Sequence, residues 1–238
     1  SLKETAARAR QATEQLGSRL GREPTLGELS QEDIYRAVCE AISFDEYRWQ
    51  GETGALFRSR HRARGYENIL TLCPRCGGRG TYVSRGNSVR CMHCGNAGTV
   101  GRDMRLYGDP GSILPETLPQ WHDMLRRDWE ERLRRGCFVM ESTVRSERYD
   151  GRRFAPHAPG RVRMDEKGLS VRLEDGSAAD LSHDKMAALR CLAGCYIEVE
   201  CDALGVLRLY PENGRMAAEW KLAQEYLHRR AQKRGETG

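Results

Sequence analysis

Cys73-Pro74-Arg75-Cys76-Gly77-Gly78 and Cys91-Met92-His93-Cys94-Gly95 are two copies of one motif, Cys-x-x-Cys-Gly, with fourteen residues between Cys76 and Cys91. The glycine after each second cysteine frees the backbone to turn tightly and to aim N–H groups at sulfur. The spacer reads Thr81-Tyr82-Val83-Ser84, then Arg85-Gly86-Asn87, then Ser88-Val89-Arg90. The outer runs predict strands, and Gly86-Asn87 suits a short hairpin connection. Two knuckles on one hairpin bring four thiolates to a tetrahedral ion, the arrangement of structural zinc. The unit therefore reads as a zinc ribbon with ligands Cys73, Cys76, Cys91 and Cys94. A closed set of four leaves no open position for water, so the expected cofactor is structural Zn2+. Two redox dithiols are the alternative. His93 lies inside the second knuckle and could replace a cysteine, but Cys94 completes the pair.

Five more cysteines, at 39, 137, 191, 195 and 201, are scattered, and the total of nine is odd. Disulfide frameworks belong mostly to short secreted chains, so these five read as free thiols. The chain has 238 residues with a net charge of +5, 31% charged and 39% hydrophobic side chains, and a mean hydropathy of −0.71. That composition excludes a collagen-like, low-complexity or wholly disordered chain. No run approaches the roughly 18 apolar residues of a membrane span. No apolar core follows Ser1-Leu2-Lys3-Glu4-Thr5, so a secretory leader is not expected. A start at Ser1 rather than Met leads to the expectation that the polypeptide extends upstream.

Outward from the ribbon, the predicted class is α+β. Apolar residues recur at helical spacing over 2–20, with Gly21 at the end. Thr25 with Glu28 forms a capping box, and Ser30 with Asp33 opens a helix carrying Ile34, Ala37, Val38 and Ala41 on one stripe. Residues 1–56 thus read as a helical arm, and 57–107 as the ribbon with a basic flank. Residues 108–136 read as a linker followed by an amphipathic helix from about Pro119 to Arg135. That helix has Trp121, Met124, Leu125, Trp129 and Leu133 on its apolar face. From 137 the period changes to two, predicting strands near 138–145, 161–165, 169–174, 178–182, 195–201 and 205–211. The stretch 184–194 leaves a short helix open around Met186 to Leu192. A long helix over 214–231, with Trp220 on its buried side, closes the chain. About six antiparallel strands and one closing helix is the element order of pleckstrin-homology-like barrels, which is the expected fold of 137–238.

Residues 57–65 read Phe-Arg-Ser-Arg-His-Arg-Ala-Arg-Gly. In an extended strand Arg58, Arg60, Arg62 and Arg64 would share one face, where guanidinium groups can hold phosphate on a lipid headgroup or a nucleic acid. A solvated basic loop is the bland alternative.

Two resemblances bear on function. Cys73 to Gly80 fits the Cys-x-x-Cys-x-Gly-x-Gly repeat of DnaJ-type chaperones, but the second knuckle has Asn96 where that repeat needs glycine. Those proteins also carry four repeats, so this reading is set aside. A second set of stretches runs Glu32 to Gln50, Arg64-Gly65-Tyr66-Glu67-Asn68 into Cys73-Pro74, Leu118-Pro119-Gln120-Trp121, and Ala217-Ala218-Glu219-Trp220. Their order resembles the region after the catalytic domain in some bacterial 1-acylglycerol-3-phosphate acyltransferases, over about residues 30–232. The resemblance implies an enzyme that acylates lysophosphatidic acid at the cytoplasmic membrane face, using His-x-x-x-x-Asp and a Glu-Gly-Thr-Arg-like motif. No histidine here has Asp five positions on, and Glu-Gly-Thr is absent. No catalytic residue carries over, so this chain would be the enzyme's accessory C-terminal part, without acyl transfer of its own.

The implied partners are an upstream catalytic domain of the same polypeptide and an anionic membrane surface. The implied location is cytoplasmic, peripheral to the inner membrane face. The competing expectation is a zinc-ribbon module for nucleic acid or protein, against which +5 is a slight charge for a dedicated nucleic-acid binder.

Overall fold

The computed structural model describes residues 30–186 and 189–235. The helix expected over 2–20 and the box at Thr25 lie outside the described residues. The chain divides into two compact units, Ser1–Ala55 and Leu56–Gly238.

In the first unit, helix α1 spans Gln31–Ile42, and its cap Ser30 accepts the Asp33 N–H at 3.1 Å. Helix α2 spans Glu46–Thr53, where the sequence pattern fades. Asp45 restarts it by accepting the Arg48 N–H at 2.9 Å. Gly54 ends it in the left-handed conformation, φ 63°, a favoured helix terminus for glycine.

Among its described residues, the second unit holds two antiparallel sheets, two α-helices and two single-turn 3-10 helices, Tyr66–Asn68 and Gly214–Met216. The smaller sheet has strands β1 (Tyr82–Arg85), β2 (Ser88–Cys91), β3 (Ala97–Val100) and β4 (Leu106–Gly108) in sequence order. The hairpin pairs Tyr82 with Cys91 and Arg85 with Ser88, so Gly86-Asn87 is the connection expected from sequence. Strands β3 and β4 were not legible, and the latter ends where a linker was expected. They are three or four residues long and carry no alternating apolar pattern. Gly98 explains how they fit: a Cβ there would stand 2.4 Å from the Tyr107 carbonyl oxygen, so only glycine allows β4 that close.

Helix α3 spans Leu118–Arg134. Thr117 and Gln120 form a capping box, with Pro119 in the first turn, where its missing N–H costs nothing. Trp121, Leu125, Trp129 and Leu133 are buried at helical spacing.

The larger sheet contains β5 (Val139–Tyr149), β6 (Phe154–Asp165), β7 (Gly168–Leu173), β8 (Ala178–Ser182), β9 (Arg190–Leu192), β10 (Tyr196–Cys201) and β11 (Gly205–Pro211). Their order is β8-β7-β6-β5-β11-β10-β9. Two meanders therefore meet where β11 pairs with β5, and Leu207, Leu209 and Pro211 align with Arg148, Ser146 and Val144. The open question at 184–194 resolves partly as β9, an edge strand paired to β10 through Leu192 and Tyr196. A run of three residues has no period of its own, and only its partner makes it a strand. Helix α4, Ala217–Gly235, closes the chain and buries Ala217, Trp220, Ala223 and Leu227.

Candidate metal centre

The two knuckles close with the same hydrogen bonds. Cys73 N–H donates to the Gly78 carbonyl at 2.8 Å and Gly77 N–H to the Cys73 carbonyl at 2.9 Å. In the second, Cys91 N–H donates to the Asn96 carbonyl at 2.8 Å and Gly95 N–H to the Cys91 carbonyl at 2.9 Å. Gly77 and Gly95 sit at φ 71° and 77°, a conformation that glycine adopts without a Cβ penalty. This local symmetry points the four sulfurs at one place. Cys73 and Cys94 Sγ are 3.7 Å apart, Cys76 and Cys91 Sγ 3.9 Å apart, and all four lie within 4.8 Å of one another. Metal–sulfur bonds of about 2.3 Å in a tetrahedron require sulfur–sulfur edges of about 3.8 Å. The cluster fits an ion of that size.

Hydrogen bonds to sulfur come from outside the knuckles as well. The Thr81 hydroxyl lies 3.2 Å from Cys91 Sγ. The Tyr82 hydroxyl donates to Cys73 Sγ at 3.6 Å, and Asn96 Nδ2 reaches the same sulfur at 3.7 Å. Asn96, fully buried, also donates to the Tyr82 hydroxyl at 2.9 Å and to the Ile113 carbonyl at 2.7 Å. Its Oδ1 accepts the Ile113 N–H at 2.8 Å. The residue that breaks the chaperone-repeat pattern is thus the one that ties the second knuckle to the loop after β4. Such outer partners orient metal ligands. His93 is exposed and stands outside the set, with Nδ1 3.4 Å from Cys76 Sγ.

The thiols of Cys73, Cys76 and Cys91 are not electrically equal. Burial raises the Cys91 thiol, but hydrogen bonds from Thr81 and from the Cys94 and His93 N–H groups outweigh it and bring it down to about 6. Burial opposes and Tyr82 and the Cys76 and Arg75 N–H groups favour the Cys73 thiolate, which ends below its ordinary value. The Gly78 N–H favours the Cys76 thiolate, yet burial and the other three sulfurs push it up to about 12. Crowded sulfurs resist a further negative charge, and a cation at their centre removes that resistance.

An ionic link, buried at its Glu219 end and half-buried at Arg79 and Asp128, joins the ribbon to the rest of the second unit. Arg79, just past the first knuckle, pairs with Asp128 of α3 and Glu219 of α4. Glu219 is fully buried and also accepts from Trp129 Nε1 at 3.2 Å. Beside it, Tyr82 packs edge-on against Trp121, with ring centroids 5.5 Å apart. Neither Glu219 nor Asp128 stands out in sequence, because their partner is far away along the chain.

The arginine-rich stretch forms no strand. Arg62 turns inward and donates to the Val100 carbonyl at 2.9 Å and the Ser59 carbonyl at 2.7 Å. Arg58, Arg60 and Arg64 are exposed. A strand needs a neighbour, and this segment instead lies along the β1–β2 turn, with the Ala63 N–H on the Gly86 carbonyl. Among the described residues, Cys73, Cys76, Cys91 and Cys94 make the only cluster of metal-ligating side chains. Cys137 is exposed, and Cys39, Cys191, Cys195 and Cys201 are free and half-buried.

Fold and site together define a class: an α+β protein with two antiparallel sheets, a closing helix, and four cysteines that could hold a metal ion. Comparison with known proteins does not narrow this class, since no family model and no curated protein matches the sequence. No helix among the described residues is long and apolar enough to cross a membrane.

Proposed function

We propose that this chain is a non-catalytic, zinc-stabilised accessory region of a lysophospholipid acyltransferase, acting at the cytoplasmic face of a membrane. The observation that carries the scaffold half is the closed cluster of four sulfurs, hydrogen-bonded from outside and linked through Arg79 to both helices. A closed thiolate set supplies folding free energy and no position for substrate. The acyltransferase half rests on the order of sequence stretches from Glu32 to Trp220, which resembles the region behind that enzyme's catalytic domain. Strand order β8-β7-β6-β5-β11-β10-β9 with a closing helix supports a pleckstrin-homology-like reading of the larger sheet.

Two measurements test the halves separately. Elemental analysis of the purified chain is expected to find one zinc per chain; none would overturn the scaffold. Reading the coding sequence upstream of Ser1 is expected to find an in-frame His-x-x-x-x-Asp domain; its absence would remove the acyltransferase half.

A further inference from the structure

Arg58, Arg60 and Arg64 are joined in space by two arginines from other segments. The Ala63 N–H donates to the Gly86 carbonyl at 3.2 Å, and the Arg62 N–H to Asn87 Oδ1 at 3.0 Å. These bonds place the loop beside Arg85, at the end of β1. The Phe57 N–H donates to the Arg102 carbonyl at 2.7 Å, which places Arg102 beside Arg58. Arg85 and Arg102 are exposed too. Two carboxylates close to these arginines in sequence, Glu67 and Asp103, are hydrogen-bonded to other groups. Glu67 accepts from the Gly65 N–H and the Ser84 hydroxyl. Asp103 accepts from the Arg105 N–H and the Tyr107 hydroxyl. Among the described residues, none of these five arginines at the hairpin-turn end of the ribbon forms an ion pair.

Two apolar side chains sit at the same end. Leu56 is 55% exposed and Phe57 44% exposed, immediately before Arg58. Adjacent exposed apolar and cationic side chains are what an interfacial membrane site needs: the apolar pair enters the boundary region while guanidinium groups hold phosphates. Nucleic acid would use Phe57 for stacking but has no use for an exposed leucine.

We propose that Leu56 and Phe57, with Arg58, Arg60, Arg64, Arg85 and Arg102, form a docking surface for an anionic lipid bilayer. The proposal rests on the membrane-side accessory reading and gives it a specific contact. The surface lies on the ribbon at the end away from the sulfurs, so metal binding presents it without taking part in it.

The test is co-sedimentation of the full chain with vesicles of phosphatidylglycerol and phosphatidylcholine, against pure phosphatidylcholine, with a single-stranded oligoribonucleotide in parallel. Binding to the anionic vesicles alone, weakening with salt, is expected. Each arginine near such a surface is worth roughly fivefold in affinity, so Arg58→Gln with Arg85→Gln and Arg102→Gln should weaken binding by about 100-fold. Leu56→Ser with Phe57→Ser should weaken it as well. The control, Arg148→Gln with Arg152→Gln and Arg153→Gln, removes the same charge from other exposed positions and should bind as the parent does. Zinc content and thermal midpoint, read on every variant, establish that each is folded. No vesicle binding, equal binding to neutral vesicles, or equal loss in the control would each overturn the surface. Tighter binding of the oligoribonucleotide through the same arginines would also overturn it, assigning the patch to nucleic acid. Zinc bound without vesicle binding would sink the surface and leave the scaffold standing.

Discussion

The ribbon and the larger sheet are both antiparallel, yet they are held by different means. Ribbon strands run three or four residues, and its interior rests on a few side chains such as Leu70, Tyr82, Val89 and Leu106. The larger sheet has strands of up to twelve residues and a continuous interior that includes Val162, Met164, Ile197, Leu207 and Leu209. Apolar burial contributes roughly 25 cal/mol per Å², so short strands cannot offset the entropy of ordering their own backbone. A metal staple suits the first region, and the second does not need one. The two meet at Arg79, where the ribbon's charge enters an interior built by α3 and α4.

The largest test of this contrast is metal removal. Structural zinc contributes roughly 10 kcal/mol or more in small ribbons, so chelation, or Cys73→Ser with Cys91→Ser, should abolish ordered structure in β1–β4. Amide hydrogen exchange should show those strands losing protection while β5, β6, β10 and β11 keep theirs. Simultaneous loss in both would mean one cooperative body and would break the comparison.

The junction comes next. Arg79→Met leaves Glu219 fully buried, with only the Trp129 N–H against its charge, and should cost about 3–5 kcal/mol in urea denaturation. Adding Glu219→Leu should recover most of that loss. An unchanged midpoint in the single variant would show the two regions to be energetically independent.

A smaller effect is expected at Asn96→Ala, which removes the side-chain partner of both Ile113 backbone groups and one of the two partners of the Tyr82 hydroxyl. It should cost about 1–3 kcal/mol and lower zinc affinity by roughly 10- to 100-fold. Affinity lost without stability would place Asn96 with the metal alone, sharpening the boundary.

The gentlest probe is pH. At pH 7 the Cys91 thiol, brought down to about 6, has already lost its proton, whereas Cys76, pushed up to about 12, has not. Zinc must displace the Cys76 proton, so affinity should rise with pH between 6 and 8, about tenfold per unit for each proton released. Below 6 the Cys91 proton adds to the slope. A competition titration with a chromophoric chelator reads this, and a flat profile would contradict a proton held on Cys76.

Legibility followed the range of the interactions. The hairpin was readable because its turn, strands and knuckles are contiguous. The apolar face of α3 was readable for the same reason: Trp121, Leu125, Trp129 and Leu133 recur at one helical period. Strands β3, β4 and β9 were not, since runs of three or four residues become strands only when a neighbour supplies hydrogen bonds. Arg62 was grouped with Arg58, Arg60 and Arg64 by alternation, but the carbonyls of Val100 and Ser59 draw it inward. Arg85 and Arg102 could not be added to that group, because only backbone bonds across the ribbon bring them near.

What the sequence by itself determined, then, is what neighbouring residues can enforce: two cysteine–glycine knuckles, their spacing, the hairpin between them and the amphipathic helices. The tertiary structure alone decided the meeting of the four sulfurs across the two knuckles, the burial of Glu219 against Arg79, and the gathering of five arginines at one end. Each of those joins groups from separate segments, and no local period or propensity records a partner that lies tens of residues away.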